Sequence, residues 1–449
     1  MNVGCAGGTG ARTASRLHVG GCAGGAGARN YGIVTAPPVY TVVPFVAMLL
    51  AIAICPLRVP RWWVSNRNKF FVSAVLGAPV LVLYLGREPA ALLHMAAEYV
   101  SFIILLAGLY VISGGIQLRG DLVATPLTNS LFLATGSVLA SFVGTTGASM
   151  LLIRPLLQTN RERRHVTHTV IFFVFLVSNI GGMLTPLGDP PLFLGYLQGV
   201  PFSWTFRLWP QWLLMVGALL ILYLVWDMRQ YAREPLAALA RDRRAVEPLR
   251  LSGAPNIAGL AGVVLAVALL QAPWREIAIV ALAALSLWRT PRAIRRANGF
   301  TSSPMVEVAA LFFGIFLTML PALELLRLRG GELGVRQTWH FFWASGALSS
   351  FLDNAPTYLT FLALAQGGRL ADEVVGVPHA ILAAISAGAV AMGANTYIGN
   401  APNFMVKSIA EEAGVTMPSF FGYMLYSGAI LIPLFLVVTL LFFLSGSPG

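Results

Sequence analysis

The sequence predicts an all-α polytopic membrane protein, with about ten transmembrane helices and two re-entrant hairpins in an inverted repeat that contains two broken helices. Three observations predict it. Hydrophobic residues make up 57% and charged residues 11% of the 449-residue chain, and the mean hydropathy is +0.74, far outside the range of soluble domains. Apolar stretches long enough to cross a bilayer recur along it, and short arginine clusters separate them.

Residues 1–36 stand apart, because VGCAGGTGAR (3–12) recurs as VGGCAGGAGAR (19–29). A Gly/Ala/Arg duplication without an apolar run is neither a signal peptide nor material for a core, so a disordered tail or a misassigned start is expected there. The ordered protein is expected to begin near Pro37. Cys5 and Cys22 lie in this tail and Cys55 in a span, a spacing that implies neither a disulfide framework nor a metal motif.

A bilayer crossing needs about 20 mostly apolar residues. On that criterion spans fall near 39–57, 70–86, 97–116, 209–227, 256–271, 275–288, 306–323 and 419–444. Two further spans, 166–199 and 378–411, are broken centrally by Gly, Pro and Asn. The stretches 128–157 and 338–366 are broken by GTTGA (144–148) and DNAPT (353–357), and each reads as a hairpin.

The formal net charge of +12 does not point to nucleic acid, since the arginines form clusters between spans rather than one basic, aromatic-interleaved face. They act as topology signals. The clusters around Arg58 to Lys69, Arg154 to Arg164, Arg229 to Arg250 and Arg289 to Arg296 all fall on the cytoplasmic side only if 128–157 enters and leaves without crossing. The hairpin at 338–366 then opens to the other face, where the loop 367–377 carries Asp372 and Glu373 against Arg369. Arg327, Arg329 and Arg336 are external on this count, partly offset by Glu324 and Glu332, and both termini are external. Residues 37–227 and 256–444 thus repeat the same order of elements in opposite orientation, joined by a cytoplasmic linker over 228–255.

Broken backbone at membrane depth must line a cavity or be buried in protein, because each unpaired amide or carbonyl costs several kcal/mol. In SNIGGMLTPLGDPP (178–191), prolines and glycines free the backbone, and Ser178, Asn179 and Thr185 add neutral oxygens, the ligands of a hard cation. The counterpart GANTYIGNAPN (393–403) supplies Asn395, Thr396, Asn400 and Asn403, with Gly188-Asp189-Pro190-Pro191 matched by Gly399-Asn400-Ala401-Pro402. Asp189 and Asp353 are the acidic residues of the four broken segments, taken as 128–157, 166–199, 338–366 and 378–403. A carboxylate at that depth costs at least about 2.5–3.5 kcal/mol, which marks both as functional candidates, with helix capping and a Gly-Asp-Pro turn as the structural alternatives. Thr145, Thr146, Asn354 and Thr357 are further candidates at the hairpin tips. An ion site from Asn179, Asp189, Asp353 and Asn395, with proton coupling at Asp189 and Asp353, is expected. Glu98, Glu307, Glu324 and Lys407 fall near span ends and are expected at the interfaces, as are His168, His340 and His379; Trp62, Trp63, Trp209 and Trp212 read as aromatic-belt anchors.

SNIGGMLTPLGDPP resembles the Asn-x-Gly-Gly...(Ser/Thr)-Pro-x-Gly-Asp segment of NhaD-type sodium:proton antiporters, and LDNAP (352–356) resembles their Asp-Asn-x-Pro hairpin. The order of elements over 37–444 looks like the wider ion transporter superfamily, and in particular its citrate-transport (CitMHS-like) branch. The resemblance implies a scaffold domain, a mobile transport domain, elevator-like alternating access and a homodimer, and it carries Asn179, Thr185, Asp189, Asp353 and Asn354 over as ion-site residues. One departure stands out: the first hairpin has Gly144-Thr145-Thr146-Gly147 where those antiporters carry a further Asp-Asn pair.

The expected function is therefore secondary transport in a bacterial inner (plasma) membrane, with transported Na⁺, Li⁺ or H⁺ and no resident cofactor. Cation:proton antiport ranks first, because the broken segments, the last taken to residue 403, hold two carboxylates and, apart from Arg154 near one end, no Lys or Arg. Symport of citrate or another carboxylate, bare or metal-complexed, is the alternative. An intramembrane aspartyl protease using Asp189 and Asp353 is remote: Pro186 and Leu352 stand where that chemistry uses Gly and Tyr, and a repeat is left unexplained.

Overall fold

The computed structural model describes residues 36–444 apart from Ala245 and 369–371. The Gly/Ala duplication with Cys5 and Cys22, and Arg369 of the expected outer loop, lie outside the described residues.

The chain begins with a 3₁₀ turn, Val39–Val42, that runs into α1 (Val43–Arg58), followed by α2 (Pro60–Trp63), α3 (Asn66–Arg87) and α4 (Pro89–Ser113). Strand β1 (Gln117–Asp121) leads to α5 (Pro126–Val143) and α6 (Thr145–Thr159). The first broken helix comprises α7 (Thr167–Leu176), a 3₁₀ turn Ile180–Leu184 and α8 (Pro190–Leu197), and α9 (Trp209–Tyr231) follows. The linker folds as α10 (Leu236–Arg244) and β2 (Glu247–Ser252). Then come α11 (Pro255–Leu269), α12 (Trp274–Arg289), α13 (Arg292–Ala297) and α14 (Ser303–Arg329). Next are α15 (Thr338–Ser349) and α16 (Asn354–Gly367). The second broken helix comprises α17 (His379–Ala391), the turn Met392–Asn395 and α18 (Ala401–Glu412), and α19 (Phe420–Val438) closes the order.

Among the described residues, eight helices are long and apolar enough to cross a membrane. The protein is an all-α polytopic membrane protein, with one small addition: β1 and β2 pair antiparallel, Gln117 opposite Ser252, so the linker is pinned rather than loose. Two differences from the sequence reading have local causes. The third span begins at Pro89, eight residues before the expected 97, because Pro at the first helical position starts a run of good helix formers and Glu98 has His94 one turn earlier as a partner at 2.8 Å. Helices α11 and α12, at 15 and 16 residues, are shorter than a typical span. Exposed Trp274 and Trp288 stand at the two ends of α12, as interface anchors do.

Side-chain bonds gather the four arginine clusters at one end. Asn66 Nδ2 donates to Ser303 O at 3.2 Å, Asn298 Nδ2 to Ile116 O at 2.7 Å and Asn256 Nδ2 to Gly115 O at 3.0 Å. The Asp242 carboxylate accepts from Ala124 N at 3.0 Å, and Glu234 accepts from the amides of Arg164 and His165. The root of the α5–α6 hairpin sits here. At the other end Tyr84 donates to Glu324 at 2.6 Å, Gln198 to Glu98 at 2.9 Å and Arg327 to both Gln198 and Gln366. The root of the α15–α16 hairpin sits there.

The core runs around the broken helices. Every residue from His168 to Leu176 in α7 is buried, as are Ala384 to Ala391 in α17, so neither helix has a solvated or lipid-facing stripe. Phe172, Phe173 and Phe175 fill one side, while Ala384, Ala387, Gly388 and Ala391 let α15 approach α17 closely. The polar breaks therefore lie in the middle of the most deeply buried part of the chain.

Candidate functional site

The two breaks are built the same way. Thr185 and Thr396 take matching extended backbones (φ, ψ of −135°, 159° and −137°, 166°), and so do Asp189 and Asn400 (−145°, 142° and −149°, 140°). Thr185 Oγ1 donates to the carbonyl of Ser141 in the first hairpin, and Thr396 Oγ1 to that of Ser350 in the second, at 2.5 Å. Each threonine oxygen also accepts from the amide two residues on, Leu187 or Ile398, at 3.2 Å. The folded-back turn requires glycine: a Cβ on Gly188 would stand 2.0 Å from Gly182 O, and one on Gly399 2.5 Å from Gly393 O. Each hairpin tip then delivers the start of its second helix to the breaks.

Asp189 is where these starts meet. Its side chain is buried, and it accepts from Thr145 Oγ1 at 3.0 Å, from Asn400 Nδ2 at 3.2 Å and from Asn354 Nδ2. Thr145 is the first residue of α6, Asn354 the first of α16, and Asn400 and Asp189 are the N-caps of α18 and α8. Four helix N-termini, the positive ends of their dipoles, thus converge on one carboxylate. Among the described residues no Lys or Arg bonds to it.

Around this centre Asn179 Nδ2 donates to Val174 O and Asn403 Oδ1, both at 2.7 Å, and Asn403 Nδ2 returns to Gly393 O and Thr396 O at 2.9 Å. Asn400 also donates to Ser178 O at 3.1 Å, and Ser178 Oγ bonds Ser149 Oγ at 2.9 Å. The site residues from the two halves of the chain therefore form one network. Other expected residues sit beside it. Asp353 caps α16, accepting from Ala355 N at 3.0 Å, and Thr357 Oγ1 donates to Asp353 O. Asn395 donates to Ser350 Oγ at 2.9 Å. Thr146 is half-buried, one residue past the Thr145 that reaches Asp189.

Some buried oxygens near the breaks lack donors. Among the described residues Asn179 Oδ1, Asn354 Oδ1 and Asn395 Oδ1 are buried with no hydrogen-bond partner, a state that native proteins rarely leave uncompensated. At Gly393 the space a Cβ would take lies 3.2 Å from Asn179 Oδ1, 3.3 Å from Gly399 O and 3.6 Å from Ser349 Oγ. Amide, carbonyl and hydroxyl oxygens facing one space form a donor set for a hard monovalent or divalent cation, not for a soft metal. No group of three or more His, Cys, Asp or Glu assembles among the described residues.

Sequence reasoning missed the hydroxyls that brace the breaks: Ser149 just after the first tip, and Ser141, Ser349 and Ser350 before the tips. The signal of the last three was available, since small polar residues recur within apolar helices just before each tip. It also missed a buried ionic network. His168, expected at the interface, bonds Asp227 at 2.8 Å and is buried, because α9 brings that carboxylate beneath it. Arg163, read only as a topology charge, is buried and holds Asp227 through both terminal nitrogens, at 2.5 and 3.0 Å.

These features define a multi-pass helical membrane protein whose polar centre is assembled from two hairpin tips and two broken helices. Residues 34–443 match the family described as "Putative citrate transport", and the chain belongs to that family, the CitMHS-like branch of the ion transporter superfamily. It is accordingly a transporter. No curated protein matches the chain.

Proposed function

We propose that this transporter is a sodium (or lithium):proton antiporter. The observation that carries the reading is a buried carboxylate, Asp189, held by neutral donors alone, one of them the amide of Asn354, whose own oxygen lacks a donor. When Asp189 is ionised, its charge and the Asn179, Asn354 and Asn395 oxygens favour a small hard cation; when it is protonated, the cation loses its counter-charge and leaves. One site then serves either ion and never both, which couples the fluxes. Asp353, at the second hairpin tip, is a second candidate for the proton.

The matching backbones at the two breaks support an inverted repeat of 37–227 and 256–444, in which the hairpins and broken helices move as a transport domain against a scaffold. We place the chain in a bacterial inner membrane as a homodimer, arginine clusters facing the cytoplasm. A second reading, proton- or sodium-driven symport of citrate or another carboxylate, is favoured by the family match and by the four helix N-termini, which would receive an anion. Metal-complexed citrate fits better than the bare trianion beside Asp189.

The test is dequenching of a pH-sensitive dye in everted vesicles from an antiporter-deficient host, adding Na⁺, Li⁺ or K⁺. Dequenching by Na⁺ or Li⁺ in wild type, absent in Asp189→Asn and in Asp353→Asn, is expected. Silence in vesicles that contain the protein, combined with labelled citrate uptake, transfers the assignment to symport.

A further inference from the structure

At the arginine-rich end lies a hollow of about 630 Å³ between the end of α6, the segment leading into α7 and the end of α18. Arg154, Arg161 and Arg164 line one wall with Gln158, and Glu412 and Thr416 line the other. The walls are joined where Thr167 Oγ1 donates to Thr416 O at 3.0 Å. All three arginines are exposed, and their circumstances differ from that of neighbouring Arg163, which is buried and paired with Asp227 and Glu234. Among the described residues, Arg154 and Arg164 have no carboxylate within ion-pair distance, and Arg161 reaches only its neighbour Glu162, at 3.4 Å.

We infer that this hollow is a binding site for a multivalent oxyanion, a phosphate-bearing group in particular. Guanidinium groups present planar forks that match oxyanion geometry, and they are weakly hydrated enough to be given up to a ligand. Three exposed guanidinium groups lining one hollow favour an anion with several oxygens over chloride. Arginines placed only to set topology need no concavity: Arg58 and Arg61, at the same end, stand on open surface. The walls also matter for what binding would do. Helix α6 starts at Thr145 and α18 is capped by Asn400, both of which bond Asp189. An anion bridging the far ends of these two helices restrains the angle between them and so acts on the centre from a distance.

The anion could be free in the cytoplasm or the headgroup of an anionic lipid, and the experiment separates the two. Purified full-length protein in neutral detergent is titrated calorimetrically with pyrophosphate at low salt. In parallel, its unfolding temperature is measured in nanodiscs of phosphatidylcholine with and without phosphatidic acid. Arg154→Gln/Arg164→Gln is compared with Arg58→Gln/Arg61→Gln, which removes equal charge from the same end outside the hollow. We expect pyrophosphate binding, or stabilisation by phosphatidic acid if the headgroup is the occupant, weakened by at least about tenfold in the first variant and by less than about twofold in the second. Equal losses in the two variants would reduce the effect to diffuse surface charge and overturn the site. So would wild-type protein that responds to neither probe.

Discussion

Asp189 receives its hydrogen bonds from a hydroxyl and two carboxamides, each carried by a different helix start. That environment satisfies a negative charge without a counter-ion, which on the proposed reading leaves the charge to a transported cation. Asp189→Asn keeps the shape and removes the charge. We expect it to fold, elute as wild type does and lose at least about 90% of coupled transport, the change of tenfold or more that goes with about 1.4 kcal/mol or more of lost ion binding. Normal transport by that variant would remove Asp189 from the mechanism. Arg163 is the opposite case, a charge that is structural. With Asp227 it forms a buried pair that also takes in His168, Asn129 and Asn160, so Arg163→Ala leaves the buried carboxylate without its guanidinium, held by His168 and Asn129 alone. Breaking such a pair costs about 3–5 kcal/mol. The variant should unfold at clearly lower temperature in a detergent melt, and Arg163→Ala/Asp227→Asn should recover part of the loss.

At the scale of elements, the breaks are held by close backbone contact. Gly188 packs against Gly182 and Gly399 against Gly393 with no room for a Cβ, whereas Gly217 in α9 has nothing within 4 Å of that position. Gly188→Ala should therefore give aggregated or inactive protein, and Gly217→Ala should be indistinguishable from wild type by size-exclusion profile and transport. Gly144 turns the first hairpin with φ +82° and ψ 147°, a region open in practice to glycine alone. There Gly144→Ala adds about 1–3 kcal/mol of backbone strain. The added strain should appear as a lower melting temperature with the fold retained, since only Leu187 O and a Leu109 methyl lie within 4 Å of the new carbon.

At the scale of the molecule, the hairpin roots occupy opposite ends, and we propose that the arginine-rich end faces the cytoplasm. A membrane-impermeant maleimide should label Arg164→Cys only in everted vesicles and Glu332→Cys only in right-side-out ones, in a background from which the native cysteines have been removed. Labelling of both from one side would refute opposed hairpins and with them the proposed repeat. The end opposite the arginine clusters adds a chain of side chains, Glu98 to Gln198 to Arg327 to Gln366, that ties α4 and α14 to the ends of α8 and α16. Any motion of the hairpins and broken helices against α4 and α14 has to break it.

Much of this was legible in the sequence, for reasons that are local. Bilayer thickness fixes span length, so apolar runs located the helices; glycines, prolines and asparagines inside such runs cannot continue a helix and cannot face lipid, so they located the centre. A lone Asp at that depth announced itself through its desolvation cost. What the sequence could not convey is which partners three-dimensional packing brings to each group. Thr145 reaches Asp189 while Thr146 does not; Asp353 caps its own helix while its neighbour Asn354 enters the centre; Arg163 and His168 are drawn inward by Asp227, 64 and 59 residues away. Composition and periodicity act through the solvent and the bilayer, which every segment meets independently, and so one chain read in order determined the class, the spans and the breaks. Hydrogen bonds and ion pairs act over about 3 Å between residues far apart in the chain, and only the tertiary structure decided which of the polar residues form the site.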